Sequence, residues 1–192
     1  MQSSKDSFYI ALRDRLSALN PDRSVTINGV TRPAIVVVEN QHPSSAGPLA
    51  NVFYITWGEP QAVDSARSSP RPLMSLDCTI YYWTAGTSDN QGIDRGRLLA
   101  QLDGELFSIC SPPSTPKLDY TGDTPLDLGT TVFWTHPQFT PRAPTSGFTS
   151  QTPQLAAAPD DDPDATASSL PRVRLERTAV VNVMFYPEND LP

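Results

Sequence analysis

The chain has 192 residues and a formal net charge of −7, with only 2 Cys and 2 His beside 20 Pro. Two cysteines cannot build a disulfide framework or a four-cysteine zinc site, and two histidines leave little for a histidine-rich metal centre. The acidic balance argues against general nucleic-acid binding, which uses a basic surface. The length suits one domain over residues 1–192, although proline well exceeds its average share of about 5%.

We expect no targeting segment at the start of the chain. Met1 to Asp6 lack the apolar region of a secretory signal, and no apolar run approaches the roughly 18 residues that a membrane span needs. We therefore expect synthesis in a cytoplasm and no membrane partner.

Residues 4–19 are predicted to form an amphipathic helix, because apolar side chains recur at helical spacing. Ser4 or Asp6 can cap this helix, and Asn20-Pro21 ends it. The predicted buried face consists of Phe8, Ala11, Leu12, Leu16 and Leu19.

A β-hairpin is predicted next. Asn28-Gly29, the preferred pair for a type I′ turn, joins 25–27 to 30–32. Ala34 to Val38 is a strongly β-forming run, and the Pro-, Ser- and Gly-rich residues 39–50 form a loop.

Two further strands follow, at Asn51 to Trp57 and Leu73 to Thr84, separated by a polar loop. Alternation in the longer strand predicts one buried face and one opposite face. The predicted buried set is Leu76, Cys78, Ile80 and Tyr82, and the opposite set is Asp77, Thr79, Tyr81 and Trp83. Since the second set includes two aromatic residues, we expect a partner to cover it.

Residues 92–110 are predicted as the second helix, capped by Asp89 or Asn90. Its apolar face contains Ile93, Leu99, Leu102, Leu106 and Ile109. Arg95 and Arg97 stand near the helix start, where cations are disfavoured. Either they lie on a solvated face, or they meet carboxylates of a neighbouring subunit.

The last third of the chain combines strands with a long insertion. Strands are predicted at Lys117–Tyr120, Thr130–Thr135 and Arg172–Tyr186. Alternation in the last strand predicts one set of Val173, Leu175, Arg177, Ala179, Val181, Val183 and Phe185 and an opposite set of Val180, Asn182, Met184 and Tyr186. Between the last two strands, residues 136–171 are rich in Pro, Ser, Thr and Ala and are predicted to project as a loop that is either disordered or ordered only against a neighbour. This segment includes the acidic run Asp160, Asp161 and Asp162.

The order of elements predicts an α+β fold. We expect a mainly antiparallel sheet of about five to six strands, two helices packed on one face, and the long Pro-rich loop.

No catalytic motif is apparent in the sequence, and we expect no enzyme activity, no cofactor and no metal. A cysteine-dependent hydrolase would need Cys78 or Cys110 near His42 or His136, but the cysteines lie in apolar runs typical of buried small side chains. The acidic run lacks the Gly and distal Glu of an EF-hand and is interpreted as a solvated loop, with weak ion binding or an electrostatic partner contact as the alternatives.

The layout resembles the tail terminator, or tail-completion, proteins of long-tailed bacteriophages. The resemblance rests on the opening helix with Ala11 to Leu16, the aromatic strand end Ile80 to Trp83, the helix segment Arg95 to Asp103, and the long last strand Arg174 to Phe185. The long insertion departs from the compact members of that family, so another neck component remains an alternative.

This resemblance implies a virion subunit without catalytic residues, assembled in the host cytoplasm. Such subunits form a homo-oligomeric, hexameric ring that stops tail-tube polymerisation and meets the head-completion or connector protein, with DNA only as passing cargo. The candidate interface residues are Trp57, Tyr81, Trp83, Arg95, Arg97, Phe139, Phe148, Asp160, Asp161 and Asp162. Two other hypotheses stay open, a small hydrolase using Cys110 and His136 and a binding module that uses the Trp-rich face.

Overall fold

The structure, a computed structural model, describes residues 1–38, 48–63, 72–85, 96–140 and 174–187. Two helices and ten strands lie within these ranges: α1 (Gln2–Leu19), β1 (Ser24–Ile27), β2 (Val30–Pro33), β3 (Ile35–Val37), β4 (Phe53–Trp57), β5 (Gln61–Ala62), β6 (Met74–Ala85), α2 (Arg97–Ile109), β7 (Ser114–Asp119), β8 (Leu126–Trp134), β9 (Gln138–Thr140) and β10 (Arg174–Phe185).

The described strands form one large sheet and one small one. The eight-stranded sheet follows the order β3-β4-β6-β10-β8-β7, with β5 paired to β6 and β9 paired to β10. Every pair in it is antiparallel except β3–β4. The hairpin β1–β2 is a separate two-stranded sheet. The predicted α+β fold with a mainly antiparallel sheet is confirmed.

The pairing of β6 with β10 is the centre of the fold. The two strands run antiparallel from Met74, opposite Phe185, to Ala85, opposite Arg174. One side of this pair, the inner face, is buried, as the alternation predicted. Its buried side chains are Leu76, Cys78, Ile80, Tyr82, Ala179, Val181, Val183 and Phe185.

Helix α1 packs on the inner face through Phe8, Leu12 and Leu16, each 0% exposed, as their spacing predicted. Phe8 stands edge-on between two tryptophans, with its ring centroid 5.6 Å from Trp57 and 5.1 Å from Trp134. Because Trp57 belongs to β4 and Trp134 to β8, the sheet curls around this helix.

The start of α1 differs from the prediction. The helix begins at Gln2 without a side-chain cap bond, so neither Ser4 nor Asp6 caps it. Instead, Gln2 Nε2 donates a hydrogen bond to Asp6 Oδ1 (2.8 Å), and this i, i+4 contact supports the two additional helical residues. The helix ends at Leu19, which is 50% exposed and does not join the core.

Helix α2 places Leu102, Leu106 and Ile109 in the same core, and Leu99 packs against its edge. The predicted caps Asp89 and Asn90 and the residues 92–95 lie outside the described residues.

The predicted hairpin forms, and it covers one corner of the sheet. Asn28 and Gly29 have φ values of 52° and 79°, the left-handed conformations that a type I′ turn requires. Val25 of β1 packs on Val36 and Tyr54 in a second, smaller cluster.

The predicted insertion 136–171 begins differently from expectation. Gln138–Thr140 forms β9, which pairs with β10 so that Phe139 lies opposite Ala179. Residues 141–171 lie outside the described residues.

Candidate functional site

The side of the β6–β10 pair opposite the helices is covered by no helix in the described part of the chain. We call it the outer face. It consists of the outward side chains of Ser75, Asp77, Thr79, Tyr81 and Trp83 in β6, Glu176, Thr178, Val180, Asn182 and Met184 in β10, and Phe133 in β8. All of these side chains are partly or largely exposed.

One end of the outer face is aromatic. Tyr81 packs against the small cluster beneath the hairpin, and Trp83 Nε1 donates a hydrogen bond to Pro48 O (3.0 Å). Asn51 N also donates to Trp83 O (2.8 Å), so the segment before β4 is held against this end. These contacts fix both rings in place, and a rigid aromatic residue contributes contact area at low entropic cost.

The other end of the outer face is apolar and more exposed. Phe133 lies opposite Met184 and is 44% exposed. Between the two ends, Asn182 Nδ2 donates a hydrogen bond to Asp77 Oδ1 (3.0 Å) across the strand pair. The outer face therefore runs from two aromatic residues, across a polar centre, to an apolar patch.

The charge on this face is acidic. Among the described outward side chains of β6 and β10, only Asp77 and Glu176 carry charge at neutral pH. Aromatic residues and Met, which this face also carries, are enriched at the centre of protein interfaces. The arrangement suits contact with another protein surface better than chemistry on a small molecule.

A buried acid on α2 takes part in a structural tie. Arg23 contacts Glu105 in bidentate fashion, with Nε 2.9 Å from Oε2 and Nη2 2.8 Å from Oε1. Asn20 and Gln101 also donate to Glu105 Oε1. Burial alone would raise the pKa of Glu105, but the hydrogen bonds from Arg23 and Asn20 outweigh it and lower the pKa below 4.5. These contacts tie α2 to the end of α1 and the start of the hairpin.

A second polar tie joins α2 to the inner face. The Tyr82 hydroxyl donates a hydrogen bond to Asp103 Oδ1, and Arg177 Nη2 lies 3.0 Å from Asp103 Oδ2. Burial is the largest cause that raises the pKa of Tyr82, and its hydrogen bond to Asp103 adds to the effect. This carboxylate is committed to holding α2 on β6 and β10.

The predicted interface residues do not all share one surface. Tyr81 and Trp83 lie on the outer face. Trp57 instead packs against Phe8, with Lys5 Nζ 5.4 Å from its ring centroid, and Phe139 packs against the main core. Both are core-edge residues because their strand registers direct them to the inner side.

The remaining predicted residues are distant from the outer face or are not described. Arg97 is exposed in the first turn of α2. The residues that lie outside the described ranges are Arg95, Phe148, Asp160, Asp161 and Asp162.

The hypothetical Cys110–His136 pair lacks the features of an activated nucleophile. Cys110 is 0% exposed, and burial raises the pKa of its thiol to about 12. The His136 ring stacks on Phe107, with centroids 5.0 Å apart. A reactive cysteine needs an accessible thiol with a lowered pKa. As predicted, Cys78 and Cys110 are both buried free thiols.

Comparison with protein-family models gave no match, and comparison with curated proteins gave none. Among the described residues, no group of three or more His, Cys, Asp or Glu side chains could hold a metal ion. In the same ranges, no helix combines the length and the apolar character needed to cross a bilayer.

Sequence reasoning missed the apolar end of the outer face. Phe133 stands between the buried residues Val132 and Trp134, and that alternation could have placed it on the opposite side. It also missed the partner of Arg177, although a cation within an inward-facing apolar set indicates a nearby carboxylate.

Proposed function

We propose that this chain is a structural subunit of a phage or phage-like particle. In this proposal it is a ring-forming tail terminator that caps the tail tube, stops its polymerisation and offers the surface for head–tail joining. The outer face is the observation that carries the proposal. It is a broad sheet surface with fixed aromatic residues at one end, on a domain in which Glu105 and Asp103 are engaged in internal hydrogen bonds and ion pairs.

The order of the elements adds support through the family resemblance. An opening helix, a hairpin, a long aromatic strand, a second helix and a long final strand are the features on which that resemblance rests. The proposal places the subunit in the neck of the virion, with itself as partner in a hexameric ring. The tail tube protein and a head-completion or connector protein are the other partners.

The net charge of −7 fits a ring through which DNA passes as cargo, because like charge discourages DNA from adhering to the wall. Another neck component, either a head-completion protein or a tail-tube initiation protein, is the alternative within this class. A hydrolase is disfavoured by the burial of Cys110 and the raised pKa of its thiol.

An outer-face variant tests the proposal. Thr79→Arg puts a cation at the centre of the face, and Thr124→Arg puts the same side chain in the exposed turn before β8. We expect Thr79→Arg to abolish ring formation and incorporation at the head-proximal end of the tail tube, seen by electron microscopy, with thermal unfolding unchanged. Thr124→Arg should assemble like the parent chain.

Two outcomes would contradict the proposal. One is a parent chain that stays monomeric at high concentration and is absent from the neck of assembled particles. The other is tight binding of a small ligand by the isolated monomer at the outer face, which would favour the binding-module hypothesis.

A further inference from the structure

Strand β7 is an edge of the large sheet, because β8 is the only described strand that pairs with it. Trp134 N donates to Pro113 O (3.0 Å), which fixes the direction of the backbone groups along this edge. Since these directions alternate in an antiparallel pair, Ser114 and Pro116 direct their backbone groups away from β8. The pairing register shifts between Pro116 and Leu118, and beyond that shift the contact of Leu118 N with Ser7 Oγ shows that Leu118 also faces away from β8. Unpaired groups of this kind are a template for strand addition.

Helix α1 occupies this edge with two polar side chains. Leu118 N donates to Ser7 Oγ (2.8 Å), and the Ser7 hydroxyl donates its own proton to Ser3 O (2.7 Å). Arg15 Nη2 donates to Ser114 O (3.0 Å). Because Ser7 contacts Leu118 and Arg15 contacts Ser114, α1 runs antiparallel to β7. The eight helical residues between the two contacts rise about 12 Å, and the four strand residues span about 13 Å, so the contact points match.

Pro116 lies between these two contacts. Pro116 directs its backbone outward and has no N–H to offer a neighbouring strand. Of the outward groups at residues 114, 116 and 118, α1 thus engages Leu118 N and Ser114 O, and its contacts leave Ser114 N, Pro116 O and Leu118 O.

Arg15 makes further contacts that hold its side chain in place. Its Nη1 donates to Ile109 O (3.0 Å) and Pro112 O (2.7 Å), and its guanidinium lies 5.2 Å from the centroid of the Trp134 ring. On the opposite edge of the curled sheet, Tyr9 of the same helix donates to Ile35 O of β3 (3.4 Å). Helix α1 thus contacts both edge strands.

We propose that α1 prevents the edge strand β7 from pairing with β7 of a second copy of this chain. An antiparallel pair of two β7 strands, centred on residue 116, would set Ser114 of each copy opposite Leu118 of the other. Those are the two residues whose backbone groups Ser7 and Arg15 engage. The proposal does not depend on the function of the assembled particle.

The test uses two double variants of the full chain with the same composition. Ser7→Ala with Arg15→Gln releases the edge, while Ser17→Ala with Arg13→Gln makes the same changes on the solvent side of α1. The edge variant releases Leu118 N and Ser114 O, which can then form two backbone hydrogen bonds across the dimer. Two such bonds stabilise the dimer by about 2 kcal/mol, which corresponds to about 30-fold tighter self-association. We expect this gain in sedimentation equilibrium for the edge variant alone.

Hydrogen exchange locates the contact. In the edge variant, the peptide covering residues 114–119 should exchange faster than in the control at low concentration and regain protection as dimers form. An edge variant that is folded and sediments like the control overturns the proposal. So does association that leaves residues 114–119 unprotected.

A single substitution keeps the proposal testable if the double variant unfolds. Ser7→Ala leaves the Arg15 contacts intact and should still increase exchange at Leu118 and tighten self-association relative to Ser17→Ala. Equal exchange and equal association in these two variants would also overturn the proposal.

Discussion

The tie between Glu105 and Arg23 gives the sharpest prediction for stability. Glu105→Gln keeps the shape of the side chain and one acceptor oxygen but removes the charge that the guanidinium contacts in bidentate fashion. The side chains of Arg23 and Glu105 are 15% and 9% exposed, so solvent screens the pair only in part. Loss of this tie should loosen α2 from α1 and from the hairpin.

The magnitude follows from the contacts. A hydrogen bond to a charged group contributes about 1.5–3 kcal/mol, and breaking a fully buried ion pair costs about 3–5 kcal/mol. Because Gln can still accept from Asn20 and Arg23, we expect the free energy of unfolding to fall by about 2 kcal/mol, or roughly 4–8 °C in Tm. Urea unfolding followed by tryptophan fluorescence measures this change, with Glu59→Gln at an exposed position as control.

The pH dependence of the free energy of unfolding gives a second test of this tie. Since the folded-state pKa of Glu105 lies below its ordinary 4.5, its contribution is fully present above that value and is lost as pH falls through the folded-state pKa. The difference between the parent chain and Glu105→Gln should therefore be constant from about pH 5.5 to 7 and shrink in more acidic solution. A Glu105→Gln variant that is as stable as Glu59→Gln at neutral pH would refute this reasoning.

Three further predictions concern the core. Tyr82→Phe removes the hydroxyl that bonds α2 and should lower the free energy of unfolding by about 1–2 kcal/mol, whereas Tyr186→Phe, at an exposed ring, should change it by less than about 0.5 kcal/mol. The buried thiol of Cys110 should react with an aromatic disulfide only as the chain unfolds, and rapid labelling of the folded protein would contradict its burial. Phe8→Ala should destabilise by about 3–5 kcal/mol and weaken the near-ultraviolet dichroism of the core tryptophans, while Leu19→Ala should cost under about 1 kcal/mol.

Short-range sequence patterns predicted the strand faces, the buried helix stripe and the hairpin turn. The alternation in β6 and in β10 placed each side chain on its face, and helical spacing identified Phe8, Leu12 and Leu16 as the buried stripe. The pair Asn28-Gly29 specified the turn. In each case the side chains that determine the structure lie within a few residues of one another.

Strand register determined what the sequence could not predict. Trp57 lies opposite Cys78, and Phe139 lies opposite Ala179, so both aromatic residues turn to the inner side. β9 has only three residues and forms by pairing with β10, which follows much later in the chain. No local pattern encodes such a pairing.

The same limit applies to the polar ties. Arg23 and Glu105 are 82 positions apart, and Ser7 and Leu118 are 111 apart. Each residue alone looks like an ordinary polar residue on a helix or strand. Only the curl of the sheet around α1 brings these partners together. The outer face was therefore predictable in β6, whereas the contacts of α1 with the β7 edge were not.

For the capping role that we propose, the outer face and the β7 edge have opposite consequences. Edge pairing uses backbone groups that every strand possesses, so an open edge selects poorly among partners. Contact through a side-chain face depends on a specific shape, and a rotation that closes a ring limits the number of copies. A subunit that ends a polymer must not start another by strand addition. If Ser7 and Arg15 keep the edge closed, association is left to surfaces such as the outer face, where side chains determine the partner.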